Sequence, residues 1–185
     1  GGGGGTTPAS GGNPITEALA PKVTIAGQEY STAVEELDFE GAGLTNADLA
    51  ALSQMTHLKS LNLSNNPDIT DLSPLSDLTT LQTLQIRNTG AVDLSPLSNL
   101  KGLQKLYISN PDISDLSPLS DLTNLVYLML DDGNQSSSNI VDLSPLSSLV
   151  NLQQLMIPSM PNYTDFSPLS GMTQLLTLIM MGIKQ

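Results

Sequence analysis

Asp71-Leu-Ser-Pro-Leu-Ser76 recurs unchanged at residues 93–98, 115–120 and 142–147, and once more at 165–170 with Phe166 in place of leucine. The copies begin 22, 22, 27 and 23 residues apart. A period in the twenties belongs to solenoids, whose repeats each form one unit that cannot bury its apolar side alone. Length then sets the number of coils rather than the size of one round core.

Around the hexapeptide the coils share an opening, Leu-x-x-Leu-x-(Leu/Ile), as in Leu58-Lys-Ser-Leu-Asn-Leu63 and Leu103-Gln-Lys-Leu-Tyr-Ile108. Apolar residues at every second position predict a strand with one buried face. Such openings start at Leu58, Leu81, Leu103, Leu125 and Leu152; a further one at Leu175 runs to Gln185 without completing its coil. After each strand the hexapeptide turns the chain. Its serine is expected to cap, its proline to occupy the first helical position, and its two leucines to point inward. Few residues separate it from the next strand, so it has room for a single turn of α- or 3₁₀-helix.

The first coil, Val34 to His57, is less regular. Val34, Leu37 and Phe39 mark its strand, and Leu44, Leu49 and Leu52 continue the inward set. Thr45-Asn-Ala-Asp48 has the spacing of a capping box and predicts a helix to about Gln54. Before it, residues 14–33 carry two β-prone runs around Ala26-Gly27 and predict a β cap on the first coil, as a small hairpin or an edge strand. Residues 1–13, rich in glycine, read as a flexible tether.

The 22-residue unit Leu103-Gln-Lys-Leu-Tyr-Ile-Ser-Asn-Pro-Asp-Ile-Ser-Asp-Leu-Ser-Pro-Leu-Ser-Asp-Leu-Thr-Asn124 resembles the leucine-rich repeats of bacterial internalin-like proteins. The resemblance extends over residues 34–185. It implies an α/β solenoid of about seven coils, with a curved parallel sheet on the concave side and short 3₁₀ or α turns on the convex side. It further implies a cell-surface or secreted, non-enzymatic module that binds protein or glycan on the concave face. Two departures stand out. The asparagine expected at the ninth repeat position survives as Asn66, whereas Ala42, Thr89, Pro111, Gly133 and Met160 occupy the equivalent places, so those turns need other hydrogen-bond partners. A C-terminal cap is also missing from the pattern.

Composition narrows the partners. Eighteen acidic against six basic residues give a formal charge of −12, which offers nucleic acid or an anionic membrane surface no basic footprint. All five glutamates precede residue 41, and the aspartates that follow suit loops and caps. There is no cysteine, no apolar run long enough to insert in a bilayer, and no signal peptide; the chain starts without methionine, as a mature or trimmed chain would. The glycine-rich start resembles the stretch after a lipoprotein's lipidated cysteine, which would lie upstream.

Catalysis finds no constellation. His57 is the single histidine, placed on a turn, and Gly41-Ala-Gly43 lacks the strand–loop–helix setting of a phosphate site. The column Asp71, Asp93, Asp115, Asp142 and Asp165 could stack carboxylates ~5 Å apart and share calcium. The favoured reading has each carboxylate bonding its own loop amides, with no metal and no cofactor.

The coils differ mainly at outward strand positions. These grade from Glu36, Asp38 and Glu40, through Ser60, Asn62, Ser64, Thr83, Gln85, Ser109 and Asp131, to an apolar end with Pro158, Ile179 and Met181. The expected ligand-binding set is Arg87, Lys105, Tyr107, Tyr127, Met129, Gln154 and Met156. An insertion at 132–139 makes the 27-residue coil and lies beside that face. The structural alternative is self-association through the exposed edge of the last strand, Leu175 to Ile183.

Overall fold

The computed structural model describes residues 12–131 and 138–181. The tether, apart from its last two residues, lies outside them, as do residues 132–137 of the insertion and the last residues of the final strand's run. Seven parallel strands stack in strict chain order: β3 (Glu36–Asp38), β4 (Ser60–Asn62), β5 (Thr83–Arg87), β6 (Lys105–Ser109), β7 (Tyr127–Asp131), β8 (Gln154–Ile157) and β9 (Thr177–Met180). Each pairs with the strand of the next coil, so the register is set by the repeat itself: Leu37, Leu61, Leu84, Leu106, Leu128, Leu155 and Leu178 form one line across the sheet. The first six of these leucines are buried, whereas Leu178, in the final strand, is 42% exposed.

The return path on the convex side follows from a second, shorter period. Leu72, Leu75, Leu78 and Leu81 recur every third residue, and so do Leu94 to Leu103, Leu116 to Leu125 and Leu143 to Leu152. Three residues per turn is the 3₁₀ repeat, which puts every third side chain on one face. Accordingly Leu75, Leu78 and Leu81 each donate their N–H to the carbonyl three residues back, at 2.9, 3.0 and 3.1 Å, and all four leucines of this run are buried. The 3₁₀ turns proper are Ser73–Leu75, Ser95–Leu97, Ser117–Leu119, Ser144–Leu146 and Ser167–Leu169. In the fifth, Phe166 and Leu169 are only half-buried.

The hexapeptide serine does not cap its turn. It is itself the first residue of the turn, with proline second, and the capping position falls on a leucine that has no acceptor side chain. The aspartate two residues earlier does the work, its carboxylate accepting the serine N–H at 2.8–3.0 Å in all five copies. One close approach demands glycine: a Cβ at Gly90 would sit 2.6 Å from the Pro67 carbonyl oxygen of the preceding coil.

In the first coil the capping box forms as expected, but its α-helix (α2) is one turn long, Asn46–Leu49, and passes into a 3₁₀ turn over Ala50–Gln54. The hairpin β1 (Lys22–Ile25) and β2 (Gln28–Ser31) turns through Ala26 and Gly27, both at positive φ, as a tight hairpin requires. It buries Val23, Ile25 and Tyr30 against the coil, with Tyr30 meeting Phe39 edge-on at 5.4 Å. A short helix not expected from the pattern, α1 (Pro14–Leu19), precedes it; capped by Asn13, it buries none of its own residues.

Candidate functional site

Strand pairing turns the scattered outward residues into rows. The middle row runs Asp38, Asn62, Gln85, Tyr107, Met129, Met156 and Ile179 across β3 to β9. A parallel row holds Thr83, Lys105, Tyr127 and Gln154. Thus Tyr107, Met129 and Met156 are successive neighbours, and Tyr127 stands between Lys105 and Gln154. The two tyrosine rings lie with centroids 4.7 Å apart and planes 30° from parallel, a tilted ring contact across β6 and β7. Tyr107, Tyr127, Met129 and Met156 are all half-buried: their walls are supported by the sheet and their outer surfaces remain open. Burial pushes the Tyr127 phenol above its ordinary value; the neighbouring Tyr107 adds to this and Arg87 opposes it. The hydroxyl is therefore a neutral donor near neutral pH.

Arg87 belongs to the same neighbourhood by a longer reach. Its guanidinium crosses the Ser109 position to meet the Asp131 carboxylate at 3.8 Å, tying β5 to β7 at the edge of the tyrosine pair. Strand alternation does not reveal this pair, because the partners are two strands apart. At 3.8 Å and with the arginine side half exposed, the pair adds little stability and mainly orients the arginine.

The third outward row is a correction to the sequence reading. Ser64 and Pro158 are buried rather than outward, because β4 ends at Asn62 and β8 at Ile157, and alternation ends with the strand. Asn62 and Ser109 are also buried, at 8% and 2% exposure, because they are drawn into a polar rim. Asn62 and Asn65 donate to the Glu40 carboxylate at 3.2 and 2.9 Å, Asn88 donates to Asn65 at 2.8 Å, and Ser109 donates to Asn88 at 3.2 Å. Asn65 and Asn88 both hold positive φ, which asparagine tolerates better than most residues. This rim joins coils one to four and fixes the edge of the face.

Beneath it, Asn66 is fully buried and makes four hydrogen bonds, accepting from Leu44 N–H and donating to the carbonyls of Phe39, Leu63 and Ser64. In the fourth coil, where Pro111 holds the equivalent place, Asn110 stands one position earlier and donates to the carbonyls of Thr89 and Ala91 in the preceding coil. On the convex side, the aspartate column is committed to its own turns. Every one of its carboxyls is held below the usual range by the serine two residues on. The backbone N–H is the larger cause at Asp71, Asp93 and Asp142, and the hydroxyl at Asp115 and Asp165. The charges of Asp71 and Asp115 push Asp93 the other way, but by less. His57 is exposed. Among the described residues, no group of three or more acidic or histidine side chains is arranged to hold a metal ion, and no helix is long and apolar enough to cross a membrane. An open cleft of about 240 Å³ between the loops of the fifth and sixth coils involves Tyr163, whose ring packs on Phe166 and whose hydroxyl accepts from Leu143 N–H at 3.3 Å.

Comparison with known proteins agrees with this architecture. Residues 56–99 match the family profile described as "Leucine Rich repeats (2 copies)". An internalin of Listeria monocytogenes superposes with a TM-score of 0.59 at 28% identity, over 83% of this chain and 51% of that one. Internalin C2 of the same organism gives 0.55 at 22% identity, over 87% and 81%. A plant peptide hormone receptor in complex with RGF2 gives 0.60 at 19% identity, over 81% and 25%. This chain thus spans about half the length of the first of these internalins. No curated protein sequence matches significantly. The chain is an internalin-like leucine-rich repeat solenoid, and arrays of this kind are in general protein-binding modules.

Proposed function

We propose that this domain is a non-enzymatic recognition module that works outside the bacterial cell or on its surface and binds a protein or glycan partner through its concave face. One observation carries the reading: Tyr107, Met129 and Met156 are consecutive in register, with the Tyr127 ring against the first of them, beside the polar outward residues of β3 to β5. A contiguous apolar cluster on an exposed sheet face commonly marks a contact surface. Stiff tyrosines give amphipathic area and methionines adapt to an irregular partner. Arg87, Lys105 and Gln154 surround the cluster with polar groups that would fix orientation. The resemblance to internalins favours a surface or secreted setting, with a lipid anchor upstream as one means of attachment.

The test is the double variant Tyr107→Ala with Tyr127→Ala, compared with the unmodified chain for binding to any ligand recovered by selection. Loss of at least tenfold in affinity with an unchanged fold is expected (about 1.4 kcal/mol). Retained affinity removes the concave face from the proposal.

A second reading rests on β9. Leu178 and Met180 are 42% and 40% exposed, against near-complete burial of their equivalents Leu155 and Ile157 in the preceding coil. A second copy of the chain seated on this end would cover them. Light scattering decides it: a strict monomer at high concentration excludes self-association by this route.

A further inference from the structure

We infer that the partner of the concave face is an extended basic-amphipathic peptide segment, laid across the strands with its cationic end over β3 and its apolar end over β6 to β8. The inference deepens the concave-face reading and rests on it. Charge is the first argument. Glu36 and Asp38 face outward from β3, with Glu40 just beyond it, and all three are exposed. Two asparagines hold the Glu40 carboxylate in place without neutralising it. Neither β3 nor β4 contains a lysine or arginine, and Lys59, which precedes β4, is ion-paired with Glu35 at 3.0 Å. Outward cations first come at Arg87 and Lys105, and Arg87 is matched by Asp131. One end of the face thus attracts positive charge, and the other offers aromatic and thioether surface.

Geometry supplies the spacing. From β3 to β7 there are four strand steps of ~4.8 Å each, roughly 19 Å in all. An extended chain advancing ~3.3 Å per residue covers that distance in about six residues. The row Asp38, Asn62, Gln85, Tyr107, Met129, Met156 lies across the strands in this order. A matching peptide places lysine or arginine about six residues from a cluster of aromatic or aliphatic side chains. A neutral glycan could stack on Tyr107 and Tyr127 but would leave the acidic end and both methionines without a complement.

The experiment is selection of peptides from a random displayed library on the full chain, followed by affinity measurement on synthetic copies of the winners. Expected winners carry a basic cluster about six residues from an apolar one. Tyr107→Ala should weaken them at least tenfold, and Asp38→Lys about fivefold. Exchanging the peptide's basic residues for glutamate should restore affinity for Asp38→Lys. Circular dichroism on each variant confirms that the solenoid is intact. If Tyr107→Ala abolishes binding while Asp38→Lys and the charge swap do nothing, the concave face stands and the charge polarity is overturned. If no peptide is selected, or only neutral oligosaccharides on an array bind in a Tyr107-dependent way, the peptide class is overturned. Peptides indifferent to both substitutions overturn the inference and the concave-face reading together.

Discussion

In the fourth coil, Leu116 and Leu119 turn inward below Asp115, while across the same coil Tyr107 faces outward from β6. The convex side repeats this arrangement almost without variation, with five hexapeptides that differ at one position and five identical aspartate-capped turns. Along the concave middle row there is no such uniformity: an acid, two amides, a tyrosine, two methionines and an isoleucine follow one another. A position that must interlock with the copies above and below has one good answer, and the five hexapeptide coils give it with Phe166 as the single exception. A position that faces solvent or a partner is free to differ.

The sharpest way to break this contrast is to truncate equivalent residues on the two sides. Leu119→Ala removes a fully buried side chain stacked between the leucines of neighbouring turns. It should lose ~2–5 kcal/mol of unfolding free energy, read from the denaturation midpoint in urea. In a solenoid that loss passes to the adjoining coils, because each coil is supported only by its neighbours. If Tyr107→Ala cost as much, the outward face would be core, and its variety would need another explanation.

Asn66 tests the boundary between the two sides. Its amide satisfies three carbonyls and one N–H at the end of β4. Asn66→Ala leaves buried backbone groups unpaired and should cost about 3 kcal/mol. Thr89→Ala, at the equivalent place one coil later, breaks a single hydrogen bond of 3.3 Å and should cost roughly 1 kcal/mol. Equal losses would mean that the Asn110 substitution does not carry the later turn.

These residues also show where the sequence is legible. The coil count, parallel sheet and inward leucines follow from the 22-residue period, and the three-residue leucine period inside it specifies 3₁₀ geometry. That shorter period distinguishes aspartate from serine as the cap, because a turn that begins at Ser73 must be capped from before Leu72. The helix Pro14–Leu19 buries nothing, so no apolar periodicity could announce it; only Asn13-Pro14 hints at its start. Alternation located Tyr107, Tyr127, Met129 and Met156 correctly on the face, but it overran the strand ends at Ser64 and Pro158. It also could not see Arg87 reach Asp131, since side-chain length rather than spacing along the chain makes that contact.

Acid provides a milder perturbation that reaches the convex turns. The five turn aspartates titrate below their unfolded values because the folded state donates hydrogen bonds to the carboxylate. A carboxyl depressed by folding stabilises the fold above its unfolded value of ~3.9, and that contribution fades as pH falls through the folded values. Melting temperature should therefore drop below about pH 4, and the drop should shrink in Asp115→Asn. Calcium or chelator at neutral pH should leave melting unchanged if these carboxylates serve their own turns; a calcium-dependent rise would assign the column a second role.

On the concave pair, stability and binding should part company. Tyr107→Ala with Tyr127→Ala removes one tilted ring contact and two half-buried side chains. The ring contact contributes ~0.5–1.5 kcal/mol beyond area, and neither ring fills a cavity, so unfolding should shift by no more than about 2 kcal/mol. Binding to selected peptides should nonetheless fall at least tenfold. The two measurements together separate the sides of the coil: a convex leucine should move the denaturation midpoint strongly and binding only as far as unfolding does. A concave tyrosine should move binding far more than the midpoint. A variant pair in which the two readouts fall in step on both faces would show that the outward row is held for packing, and that its variety across the coils is not the mark of a partner.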